Sequence, residues 1–115
     1  MTNFKVSLVG LENHNVPKWV HNEIRNHKIS FLVKECATKA DLIKNAIDAD
    51  VVWLFGGSKI LNKKNISALK NCGAILRTGS GTDNLNVDEA TRLGIIVANT
   101  PEAISHNVAE HTIAL

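Results

Sequence analysis

Five short β-rich runs, separated by stretches of helical periodicity, constrain this chain more than any other feature. The runs are residues 4–10, 29–33, 51–55, 74–78 and 95–98. Between the first two, Val16, Trp19, Val20 and Ile24 recur at helical spacing over residues 16–27, with Pro17 suited to a first turn and Asn13 or Asn15 available as a cap. Thr38 is placed to cap a second helix over residues 39–47 with the stripe Ala40, Leu42, Ile43, Ala46 and Ile47. Asn62 precedes a third carrying Ile66, Leu69 and Ala68, and residues 87–93 form a short fourth helix ended by Gly94. Connections of this length between successive strands require crossovers. The expected architecture is therefore α/β, a flavodoxin-like doubly wound parallel five-stranded sheet in the order 2-1-3-4-5.

Ligands of such sheets bind at the carboxyl ends of the strands. That rule gathers Gly10, the Phe55-Gly56-Gly57 turn, the Gly79-Ser80-Gly81 loop and Asn99-Thr100 on one rim. Two glycines flanking a small residue let backbone N–H groups converge on an anion such as a carboxylate. A dinucleotide fingerprint is the competing reading of that loop. It fails, because the third glycine position holds Asn84 and no helix opens directly from the loop.

Downstream, the loop sits in an ordered series: Gly-x-Gly-x-Asp-Asn at 79–84, an Ala-containing short helix, Gly94-Ile-Ile-Val97, Asn99-Thr100-Pro101 and Asn107-Val-Ala-Glu110. At these spacings the series resembles the N-terminal part of the D-isomer-specific 2-hydroxyacid dehydrogenases, in particular the phosphoglycerate dehydrogenase-like subgroup. The resemblance is carried by residues 77–115, and by architecture before them. It implies that residues 1–100 form a substrate-binding domain and that residues 101–115 begin an interdomain helix leading to an NAD-binding domain outside this chain. It further implies that Gly79, Ser80 and Gly81 hold the carboxylate of a small 2-hydroxy or 2-keto acid through main-chain amides, that Phe55 and Gly56 close over it, and that Asn107 approaches the cofactor. The cofactor implied is NAD, with NADP left open, bound mainly by the other domain. The chain by itself is then expected to be inactive in hydride transfer.

The same helix exposes Val108, Ile113 and Leu115 if nothing covers them, so a homodimer is expected, readable by sedimentation. Arg77 lies inside a strand and is read as a structural arginine rather than a catalytic one, and Asp83 as capping its own turn. Glu110 is read as structural. The five histidines are expected at the surface without carboxylate partners, and His106 and His111, five apart, do not share the helix face that a zinc pair needs.

A net charge of +2 without a basic stripe argues against nucleic acid binding. No apolar run reaches the ~18 residues of a membrane span, and Cys36 and Cys72 lie in no ligand spacing. With no leader discernible, reduced thiols in a cytoplasmic protein are expected. A stand-alone flavodoxin-like binding or dimerisation module is the alternative reading. A phosphoacceptor receiver domain is excluded, because Gly10-Leu11-Glu12 and Phe55-Gly56-Gly57 stand where it needs its acidic residues.

Overall fold

A computed structural model describes residues 4–55, 58–78 and 85–99. They form five strands, β1 (Lys5–Val9), β2 (Ser30–Val33), β3 (Val51–Phe55), β4 (Ala74–Thr78) and β5 (Ile96–Asn99). The helices are α1 (Lys18–Asn26), α2 (Lys39–Ala46), α3 (Lys63–Ile66) and α4 (Val87–Arg92). All pairings are parallel and the order is β2-β1-β3-β4-β5, as the alternation of strand and helix requires.

The pleat sends alternate residues to opposite faces, and the described residues cover the two faces unequally. Val9 on β1, Val52 and Leu54 on β3 and Ile75 on β4 enter the larger core, where Leu42 and Ala46 of α2, Ile66 of α3 and Ala90 of α4 meet them. Leu8 and Val33 face the other way, into a small cluster with Val16 that Leu11, Val20, Phe31 and Trp53 border. Among the described residues, one helix, α1, serves that second cluster.

Local chemistry explains the ends of the elements. Thr38 caps α2 by accepting from the Asp41 N–H at 3.2 Å, and the Asp41 carboxylate accepts from the Ala37 N–H at 3.3 Å. Asn86 accepts from the Glu89 N–H at 2.8 Å at the start of α4. At its end, Gly94 adopts φ +78°, while the Gly94 and Ile95 N–H groups bond the carbonyls of Thr91 and Ala90. The same closure ends α1, but there a lysine takes the left-handed position: Lys28 has φ 59°, and the Lys28 and Ile29 N–H groups reach Arg25 and Ile24.

Three expectations need correction. Neither Asn13 nor Asn15 caps α1; both lie in a separate 3-10 turn, and the cap position is Pro17, which offers no side-chain bond. Trp19 does not join the buried stripe and is 70% exposed. With the helix beginning at Lys18, Trp19 sits about 100° around the axis from Val20, off the seam. The third helix is a single turn, and Leu69 is buried from the turns that follow it rather than from a helix face.

Candidate functional site

The winding direction of the sheet reverses between β1 and β3, since β1 leads outward to β2 whereas β3 leads the other way to β4 and β5. A crevice outside the carboxyl ends of these two strands is where the topology leaves room for a ligand. Gly10 follows β1 there with φ +92°, and a Cβ on it would stand 2.6 Å from the carbonyl oxygen of Phe55. Only glycine permits this approach of the two strand ends. Phe55 closes β3, is 40% exposed and pairs in register with Thr78, the last residue of β4.

Among the described residues, recesses open at this rim on both faces of the sheet. On the α1 side a cavity of about 410 Å³ is walled by Leu11, Pro17, Trp19, Val20, Trp53 and Phe55, with Asn15 among the described residues that line it. Trp53 is fixed across it, its Nε1–H donating to Thr78 Oγ1 at 2.6 Å. On the α2 side a cleft of about 520 Å³ is polar, with Glu35, Thr38, Lys39, Lys59 and Asn62 around Gly10 and Ser58. Asn65, itself buried, donates to the carbonyl of Ile60 at 2.7 Å and holds the wall of this cleft.

Cys36 lies in the floor of the polar cleft and donates to the Lys34 carbonyl. Burial, assisted by the charge of Asp41, pushes its thiol up to about 11. Such a thiol is not a nucleophile near neutrality. Native protein at pH 8 should therefore alkylate slowly at Cys36 and rapidly once unfolded; equal rates would contradict the burial. Because the folded-state value lies above the ordinary one, the contribution to stability is complete below about pH 9 and declines as pH rises toward 11.

Of the residues singled out from sequence, Phe55 stands at the rim. Gly56, Gly79, Ser80, Gly81 and Asn107 lie outside the described residues, as do Asp83, Glu110, His106, His111 and the helix expected over 105–115. Arg77 is half-buried on β4 between Leu54 and Asn99 in register, which suits a structural role. One histidine departs from expectation, in its partner though not in its exposed placement. His27 pairs with Glu23 at 3.3 Å, one helical turn away, and the His21 ring lies 5.4 Å from that of Phe31. Glu89, almost fully buried, bonds the Arg92 guanidinium, and this partner holds its carboxyl below the usual range. The spacing Asn86-x-x-Glu89 is the sequence signal that marks such a helix start.

The described residues do not fit a dinucleotide. The β1–α1 connection runs through Gly10-Leu11-Glu12 into a 3-10 turn, and α1 opens at Pro17 without a glycine-rich cradle. Among the described residues no group of three histidine, cysteine or acidic side chains could hold a metal, and no helix is long and apolar enough to cross a membrane.

Fold and rim together define an α/β sheet with a crevice at the β1/β3 switch point. The family model for the catalytic domain of D-isomer specific 2-hydroxyacid dehydrogenases matches residues 11–114, and the chain belongs to that family. D-3-phosphoglycerate dehydrogenase of Methanocaldococcus jannaschii is 41% identical over 78 residues, 68% of this chain and 15% of that protein. The enzyme of the same name from Synechocystis is 36% identical over 83 residues, 72% of this chain and 15% of its own length. The chain thus spans about one seventh of these relatives. Among solved structures, NAD+-bound 3-phosphoglycerate dehydrogenase of Entamoeba histolytica superposes with a TM-score of 0.75 over 98% of this chain and 38% of that one, at 24% identity. That likeness establishes the fold.

Proposed function

We propose that these residues are the substrate-binding portion of an NAD-dependent D-2-hydroxyacid dehydrogenase, which interconverts a 2-hydroxy acid and a 2-keto acid by hydride transfer. The observation that carries the reading is the switch-point crevice, with Gly10 against the Phe55 carbonyl, in a chain matched to the family over residues 11–114. In this reading the main-chain amides of Gly79, Ser80 and Gly81 hold the substrate carboxylate, and Phe55 and Gly56 shield it from water. Asn107 reaches toward the cofactor, NAD or NADP, which a second domain carries. The poor fit of the described residues to a dinucleotide supports that division of labour, and the 115-residue polypeptide by itself binds without turnover.

Amide chemical shifts test this. Pyruvate should move the Ser80 and Gly81 amide signals, and acetone, which lacks the carboxylate, should not. Equal shifts with both compounds would remove the anchor from the loop. NADH consumption by the 115-residue polypeptide with any 2-keto acid would overturn the division between domains.

A further inference from the structure

We propose that the polar cleft on the α2 side of the β1/β3 crevice is a second ligand site, which binds a phosphate group through Lys39 and Lys59. It is separate from the carboxylate loop of the proposed function and does not depend on it.

Topology and chemistry meet in this cleft. In a sheet of order 2-1-3-4-5 the crevice between β1 and β3 is where ligands settle. Gly10, at the end of β1, and Ser58, just past β3, both line the cleft, and a Cβ on Gly10 would meet Ser58 Cβ at 3.4 Å. Two separate segments then supply positive charge. Lys39 opens α2, Lys59 follows Ser58, and a recess of about 520 Å³ brings both onto its lining. Among the described residues neither ammonium is held in an ion pair, although Glu35 shares the recess.

The neutral side chains present hydrogen. Thr38 Oγ1 accepts from the Asp41 N–H at 3.2 Å, and Asn62 Oδ1 accepts from the Asn65 N–H at 3.0 Å. What these two residues of the lining have left to give is a hydroxyl proton and an amide NH2. Asn65, buried in the same wall, donates to the Ile60 carbonyl at 2.7 Å and so steadies the segment that carries Lys59.

Two ammoniums, a hydroxyl and an amide together call for an acceptor with several oxygens and more than one charge. A phosphate group brings three terminal oxygens and about two charges near neutrality. A carboxylate, with two oxygens and a single charge, engages one lysine and leaves the other unmet. Glu35 lowers the field for any anion, so one lysine alone is not enough. Both lysines are exposed, and binding is accordingly weakened by salt.

The test follows amide chemical shifts of the isotope-labelled 115-residue chain at constant ionic strength, with glycerol 3-phosphate, inorganic phosphate, glycerol and acetate as probes. Glycerol 3-phosphate should move the signals of Thr38, Lys39, Lys59 and Asn62 along one saturating curve, and glycerol should not. Lys39→Gln and Lys59→Gln, at exposed positions where folding is not at stake, should each weaken binding about threefold, and the double variant about tenfold. Tighter binding of the ester than of inorganic phosphate assigns the site to a phosphorylated metabolite, and equal binding assigns it to the free ion; both outcomes uphold it.

Shifts of equal size from acetate would overturn phosphate selection. Shifts spread over Lys28, Lys44 and Lys70 as strongly as over the cleft would reveal a diffuse ion atmosphere and overturn the site, as would unchanged affinity in the double variant. Movement of the Ser80 and Gly81 signals, with the four cleft signals still, would put the phosphate on the loop instead. Pyruvate carries no phosphate, so the loop's own test succeeds or fails independently of these results.

Discussion

Leu54→Ala should lower the free energy of unfolding by about 2–5 kcal/mol, a large part of the ~5–15 kcal/mol that holds a domain of this size together. Leu54 is fully buried on β3, the middle strand of the order β2-β1-β3-β4-β5. Its side chain enters the larger core, where Val9, Val52 and Ile75 from the sheet meet Leu42, Ile66 and Ala90 from the helices. Truncation removes the buried methyl groups and leaves a cavity between layers that strand hydrogen bonds keep from closing. The readout is the urea midpoint with the slope unchanged. A loss below about 0.5 kcal/mol would mean that the site collapses freely and that this core is not the tightly packed layer described.

The same strand shows what sequence could and could not supply. Alternation along Val51-Val52-Trp53-Leu54-Phe55 is weak because both faces carry apolar residues, so the run reads as a buried strand without revealing which face is the deeper one. The sheet order was legible, because short crossovers leave few right-handed solutions. The places of Gly10 and Phe55 at the rim were legible for the same reason, as strand ends. What was not legible is the cavity beside them. Its walls come from β1, α1 and β3, and a recess of residues distant in sequence has no period to detect.

Trp19 illustrates the limit sharply. A spacing of three places it on a helical stripe with Val16, but α1 starts at Lys18, after Val16, and Trp19, one residue and about 100° from Val20, stands exposed. Boundaries depend on caps, and Pro17 makes no side-chain cap that the sequence would advertise. Lys28 escapes notice likewise, since glycine or asparagine is the signal for a left-handed helix end. Caps that use the usual residues, Thr38, Asn62 and Asn86, fall where side-chain chemistry puts them.

Gly10→Ala should cost on the order of 2–5 kcal/mol, from two sources that a paired substitution separates. The first is conformational: at φ +92° a Cβ crowds the following carbonyl, which costs about 1–2 kcal/mol. Gly94, at φ +78° with no heavy atom within 4 Å of its would-be Cβ, carries this cost alone, so Gly94→Ala should lose only about 1–2 kcal/mol. The second source is the Phe55 carbonyl oxygen at 2.6 Å. It belongs to the backbone of a paired strand and cannot rotate away as a flexible side chain would, so the end of β3 must move or the β1 turn must open. Either movement displaces Phe55, and with it one wall of the apolar cavity and the rim to which the substrate is assigned. Gly10→Ala should therefore weaken 2-keto acid binding as well as stability, whereas Gly94→Ala, at the far end of α4, should lower stability alone. Equal losses of stability in the two variants would show that the strand ends do not clamp each other, and that the switch-point crevice is held open by something other than the contact between Gly10 and Phe55.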